Sequence, residues 1–192
     1  MSRLIIATGN QGKVREIKAI LGDFYDEVLS LKDAGIDVDV VEDGDTFHAN
    51  AAKKAVTISK LVDCDVLADD SGLCVSALSD APGIYSARYA GADATDEQNN
   101  QKLLAELKTI QDRRARFCCA LVVARNGMET AYTEGEVHGV IIDGPKGENG
   151  FGYDPLFYVE EYKKTFGELS ADIKNEISHR ARALRKMKEL LG

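Results

Sequence analysis

At 192 residues the chain suits one domain, or one domain in two lobes, and is long enough to bury a core of its own. Its apolar fraction of 44% and charged fraction of 29% are those of an ordinary globular protein; no apolar run approaches the ~20 residues of a membrane-spanning helix, which argues against a membrane partner. A formal net charge of −8 argues against a nucleic-acid reader, which presents a basic face, and requires any phosphate site to be built locally from Lys, Arg, backbone N–H groups and a metal ion.

In chain order, residues 3–7 (RLIIA) read as a first buried strand. Their apolar run breaks off at Gly9, too soon for the core of a signal peptide. Residues 13–21 (KVREIKAIL) read as a helix, linked to the strand by Thr8-Gly9-Asn10-Gln11-Gly12 in an α/β opening. The Ala-rich stretch 46–62 is helical, and residues 64–69 rise into a strand that ends at Asp69-Asp70-Ser71-Gly72. Pro82-Gly83 breaks the chain in a loop before Arg88. Thr95 followed by Gln98 forms a capping box and starts a helix over about 96–110. Strands at 116–125 and 129–140 are joined at Asn126-Gly127, a strong hairpin signal. Gly144 to Gly152 is a glycine-dense loop, and a basic amphipathic helix runs from about 175 to 191. This alternation predicts a single α/β domain over 1–192 with a mixed sheet, and two lobes around a central cleft.

Of the four cysteines, Cys64, Cys74, Cys118 and Cys119, none forms a C-x-x-C pair. Cys118 and Cys119 point to opposite faces if they lie on a strand, so they do not share a metal. All four read as reduced thiols of a cytosolic protein.

Five segments have the composition of a reactive site. The loop T-G-N-Q-G-K lacks Walker A spacing, yet it offers exposed backbone N–H groups at a helix N-terminus, side-chain donors at Thr8 and Asn10, and the charge of Lys13. The plain alternative is a βα turn with a surface lysine. Asp69 and Asp70 end an apolar strand, where adjacent charges are costly without a positive neighbour, and Asp suits Mg²⁺ beside substrate phosphates; Glu42 is a possible third carboxylate, and a solvated turn is the alternative. Lys53 and Lys54 point about 100° apart on a helix, so one at most faces a site. In G-E-N-G-F-G-Y-D-P, glycines let Phe151 stand against a planar base, and Asp154 before Pro155 is a fixed acceptor; the alternative is a turn with Phe151 in the core. In K-N-E-I-S-H-R, Lys174 is placed to reach phosphate, and Ser178, His179 and Arg180 cluster three donors where capping alone is the plain reading.

Taken together and in this order, A-T-G-N-x-G-K at 7–13, F-x-x-N-A-x-x-K-A at 47–55, A-D-D-S-G-L at 68–73, A-P-G-I-Y-S-A-R-Y at 81–89, G-F-G-Y-D-P at 150–155 and I-S-H-R at 177–180 resemble the inosine/xanthosine triphosphate pyrophosphatase (RdgB-like) family over nearly the whole chain. The resemblance implies a mixed, elongated α/β sheet flanked by helices, a homodimer, and Mg²⁺-dependent hydrolysis of ITP, dITP and XTP to monophosphate and pyrophosphate. It implies Glu42 and Asp70 as Mg²⁺ ligands, Asp70 as general base, and Asp69 as support for the metal's water shell. It gives Thr8, Gly9, Asn10, Gln11, Gly12, Lys13, Lys54 and Ser71 to the triphosphate. Phe151, Gly152, Tyr153 and Asp154 go to the base, and Lys174, Ser178, His179 and Arg180 complete the pocket. Two positions depart from the family pattern: Ala49 where Glu is common, and Asp80 where Gly is common.

Hypoxanthine and xanthine present O6 as acceptor and N1–H as donor, and adenine reverses both. A donor such as Arg180 or His179 at O6, with Asp154 near N1–H, leaves two mismatched groups with ATP. Each costs about 1–3 kcal/mol when buried, which together is roughly 30-fold to 10⁴-fold. The competing readings are a pyrophosphatase for other modified nucleotides and a non-catalytic nucleotide-binding module; the latter would lack Glu42, Asp70 or Lys13, and all three are present.

Overall fold

The computed structural model describes residues 2–192. The first strand, β1 (Arg3–Ile6), pairs in parallel with β2 (Glu27–Ser30) on one side and with β3 (Asp65–Val75) on the other. Parallel neighbours need a crossover, and α1 (Gln11–Leu21) supplies it between β1 and β2. Helix α2 (Phe47–Ser59), capped by the Thr46 side chain, precedes β3. After two 3₁₀ turns at Ser76–Leu78 and Gly83–Arg88 comes α3 (Asp96–Glu106), which starts with the expected Thr95–Gln98 capping box. Strands β4 (Arg114–Arg125) and β5 (Met128–Ile141) follow, then β6 (Phe157–Val159) and β7 (Lys164–Thr165). The seven strands form one sheet in the order β2-β1-β3-β4-β5-β6-β7, with β5–β6 and β6–β7 antiparallel, so the expected mixed α/β sheet is present. The turn between β4 and β5 is Asn126-Gly127, both at positive φ (51° and 77°), the backbone that a two-residue type I′ hairpin demands.

Several boundaries differ from the sequence reading: α2 ends at Ser59 and α3 at Glu106, each three or four residues early, and two differences are larger. β3 does not stop at the aspartates but continues to Val75, because Leu73, Cys74 and Val75 are as buried as the apolar residues before them. The last helix is two: α4 (Ala171–Ile177) and α5 (His179–Leu191), separated by Ser178 in extended conformation. The short strands β2, β6 and β7 have four residues or fewer, too few for an alternation to register in sequence.

The chain divides into two compact units, one of residues up to Asp70 with 119–135 and 179–192, the other of 71–118 and 136–178. In the first, β1 is apolar on both faces, as a parallel strand covered twice must be. Leu4 and Ile6 pack with Val14, Ile17 and Leu21 of α1 and Leu184 and Met187 of α5. Ile5 and Ala7 pack with Ala51, Ala55 and Ile58 of α2. In the second unit, Leu73, Leu103, Leu107 and the rings of Phe117, Phe157 and Phe166 form the core. No helix among the described residues is long and apolar enough to cross a membrane.

Candidate active site

In the first unit, the loop after β1 is shaped by its own side chains. Thr8 Oγ1 accepts the Asn10 N–H at 3.2 Å, and Asn10 Oδ1 accepts the N–H groups of Gly12 and Lys13 at 2.9 and 3.1 Å, capping α1. Two of the N–H groups expected to offer themselves to phosphate are therefore already capped by Asn10. Gly9, Asn10 and Gln11 are exposed, and a Cβ at Gly9 would meet nothing within 4 Å, so the loop borders open space. Lys13, three residues on, turns its ammonium to Asp69.

Asp69 and Asp70 lie within β3, at 1% and 6% exposure, and alternate faces along a strand separate their roles. Asp69 is neutralised internally: Lys13 meets Oδ1, while Oδ2 accepts from Arg180 Nε at 2.9 Å and Cys119 Sγ at 3.1 Å. Burial opposes its charge, but Arg180 and then Lys13 outweigh it and hold the carboxyl well below the usual range. Arg180 is 1% exposed and also pairs with Glu16, so the structure places this expected O6 donor as a buried counter-ion to two carboxylates. Its neighbour His179, the first residue of α5, is 4% exposed.

Asp70 has the opposite environment. Burial pushes its carboxyl up to about 6, against the pull of Lys54 and Lys13; Glu42 adds to the push and the Asn50 amide opposes it. Its Oδ2 is buried with no partner among the described residues. Lys54, on the buried face of α2, donates to the Asp69 carbonyl at 2.7 Å and to Glu42 Oε1 at 3.1 Å. Lys53 instead pairs with Asp43 at the surface, which settles which of the two lysines faces inward. A buried, unpaired carboxylate oxygen beside a second carboxylate and a lysine fits a hard divalent cation such as Mg²⁺, which takes one or two carboxylates and completes its shell with phosphate and water. No cluster of three or more His, Cys, Asp or Glu ligands occurs among the described residues, so a cation here would depend on such outside oxygens.

Sequence reasoning missed Asn50. It is fully buried, one helical turn before Lys54, and its Oδ1 accepts the Gly44 N–H at 2.8 Å, fastening the Glu42-Asp43-Gly44 loop to α2. The signal was in F-x-x-N-A-x-x-K-A, where Asn and Lys stand four apart on one face. Glu16 and Cys119, the other partners of the Asp69–Arg180 pair, carry no local signal.

The second unit holds the remaining residues. Ser71 follows Asp70 on β3. Gly150 has φ 76°, and a Cβ there would strike the Asp154 carboxylate, so only glycine lets the two approach. Asp154, 3% exposed, accepts the Phe151 N–H at 3.0 Å and the Lys174 ammonium at 2.6 Å through Oδ2. Lys174 Nζ lies 4.7 Å from the centre of the half-buried Phe151 ring. Lys174, expected to reach phosphate, thus directs its charge to Asp154. Tyr153, expected at the base, is 4% exposed in the core, its hydroxyl donating to the Ser86 carbonyl at 2.7 Å. Ser178 is buried and ends α4 through its N–H to the Lys174 carbonyl at 2.9 Å. All four cysteines are free thiols, as expected, with Cys74 and Cys118 sulfurs 4.0 Å apart.

The chain is similar to known proteins over nearly its whole length. A dITP/XTP pyrophosphatase of Clostridium perfringens is 52% identical over 199 aligned residues, covering 100% of this chain and 98% of that protein. The structure of the Staphylococcus aureus Ham1 protein superposes with a TM-score of 0.87 at 45% identity, covering 99% of this chain and 98% of the other. A crystal structure of a nucleoside-triphosphatase / dITP/XTP pyrophosphatase from Mycobacterium abscessus gives 0.76 at 37% identity, covering 96% and 98%. The Ham1 family profile matches residues 4–190, nearly the whole chain, and the chain belongs to the Ham1 family.

Proposed function

We propose that this chain is a Mg²⁺-dependent nucleoside triphosphate pyrophosphatase, which hydrolyses ITP, dITP and XTP to the monophosphate and pyrophosphate and so keeps them out of DNA and RNA. The observation that carries the reading is Asp70: a buried carboxylate poised at about 6, with an unpaired oxygen, beside Glu42 and Lys54. Relatives covering the full chain that are named dITP/XTP pyrophosphatases support it.

Glu42 and Asp70 would hold Mg²⁺, which when bound offsets phosphate charge. Asp70 takes the proton of a water whose oxygen bonds to the α-phosphorus, and the bond from that phosphorus to the bridging oxygen of the β-phosphate breaks. Before the cation arrives, a pKa near 6 leaves Asp70 ionised at neutral pH and ready to meet it. Lys13, Lys54, Ser71 and the Thr8–Gly12 loop bind the triphosphate and offset charge on the departing pyrophosphate. Phe151 stacks on the purine, Asp154 reads its edge with Gly152 and Tyr153 shaping the loop between them, and the Ser178-His179-Arg180 segment completes the site. Asp69, neutralised by Lys13 and Arg180, holds those two cations in place. The partner is a small nucleotide rather than a nucleic acid, in keeping with the net charge of −8. The working form is a cytoplasmic homodimer, as the family resemblance implies; light scattering behind gel filtration checks the dimer.

The test is pyrophosphate release from ITP, XTP, dITP, GTP and ATP, with Mg²⁺ and then with EDTA. Expected is Mg²⁺-dependent release from the first three, with GTP and ATP at least ~100-fold slower in kcat/KM. Equal release from all five removes the base-reading roles. No release from any favours a nucleotide-binding module without catalysis.

A further inference from the structure

The proposed base loop is held at its centre by a helix outside it. Asp96, the first residue of α3, and Asn100, one turn on, share a helix face. Asp96 Oδ2 accepts the Gly152 N–H at 2.7 Å, and Asn100 Nδ2 donates to the Gly152 carbonyl at 3.2 Å. Both backbone polar groups of one loop residue are thus taken by side chains of a single helical turn.

Gly152 has a left-handed φ of 61°, and a Cβ there would meet nothing within 4 Å. The two hydrogen bonds to α3 anchor it from outside, while the Asp154 N–H to Phe151 carbonyl bond at 3.2 Å closes the turn around it, and together they set the direction of Phe151 on one side and Asp154 on the other. A cavity of about 480 Å³ beside the loop is lined by Asp96, Asn100, Phe151 and Gly152 among others. The clamp has a fixed footing. Asn99, 3% exposed, accepts the Ala90 N–H at 2.8 Å and donates to the Ala87 carbonyl at 3.1 Å, fastening α3 to residues 87–90. Asn100 Oδ1 is buried with no partner among the described residues, a poor choice for stability alone, which points to its Nδ2 as the reason for an amide there.

We infer that Asp96 and Asn100 are positioning residues for purine selectivity, acting through the Gly152 backbone without touching the substrate. The inference rests on the base-loop reading above.

The experiment is steady-state kinetics of the Mg²⁺-loaded protein on ITP and ATP, for wild type, Asp96→Ala, Asn100→Ala and Asp96→Asn, with thermal denaturation as folding control. Expected for either alanine variant is a KM for ITP raised about ten-fold, the worth of one such hydrogen bond. kcat stays near normal, and the ITP/ATP preference in kcat/KM falls by a similar factor. Asp96→Asn keeps an acceptor for the Gly152 N–H and restores most of the preference. If an alanine variant fails to fold, Asn100→Asp carries the same expectation, since it exchanges the donor for an acceptor at unchanged size. A selective wild type with folded variants of unchanged KM and preference overturns the clamp alone, as does a loss that Asp96→Asn does not restore. A wild type with no preference for ITP over ATP removes the base-loop reading, and the clamp with it.

Discussion

Asp70→Asn is expected to stabilise the metal-free fold at alkaline pH and, in the presence of Mg²⁺, to abolish turnover. Asp70 lies inside a buried strand at 6% exposure, and burial raises its carboxyl from the ordinary 3.8 to about 6. Between those values the folded protein keeps a proton that the unfolded chain has lost. Stability therefore falls as pH rises through this window and stays lower above it. The gap is about 2.2 pH units, and at about 1.4 kcal/mol per unit the ionised carboxylate costs the fold about 3 kcal/mol. Asparagine has nearly the same shape and no charge. Urea denaturation in EDTA, followed by circular dichroism, should find the variant about 3 kcal/mol more stable than wild type near pH 8 and nearly equal to it near pH 4. Added Mg²⁺ should stabilise the wild type near pH 8 and leave the variant unchanged. A variant no more stable than wild type near pH 8, or less stable at both pH values, refutes the reasoning that burial leaves this carboxylate destabilising until a cation meets it.

Asn50→Ala leaves the Gly44 N–H without its buried acceptor; a loss of about 1–3 kcal/mol in urea denaturation is expected, with weaker Mg²⁺ binding by calorimetry as the Glu42 loop loosens. Arg180→Ala strips Asp69 and Glu16 of a shared buried cation. It should cost about 3–5 kcal/mol, read in the same denaturation assay. Phe151→Ala removes a half-buried ring from the proposed base site. The KM for ITP should rise by about ten-fold or more for a stack worth about 1–3 kcal/mol, with the thermal midpoint little changed.

Much of this protein was legible in the chain alone. Apolar β1, the capping box at Thr95, and the Asn126-Gly127 turn are local statements, decided within a few residues by burial, hydrogen bonding and φ. The six motifs in order also pointed to the family to which the chain belongs. What the sequence left open was partnership across long separations. The two adjacent aspartates look alike as letters. Their environments differ because Arg180, 111 positions from Asp69, and Lys13 reach one of them, while the other faces Lys54, Glu42 and Asn50. Lys174 and Asp154 likewise find each other from 20 positions apart. Which carboxylate is neutralised and which is left reactive depends on the charges that tertiary packing brings within a few ångströms. Local propensity determined the strands, caps and turns; only the tertiary structure, through burial and Coulomb attraction between distant residues, decided which side chains hold the site together and which are left to act.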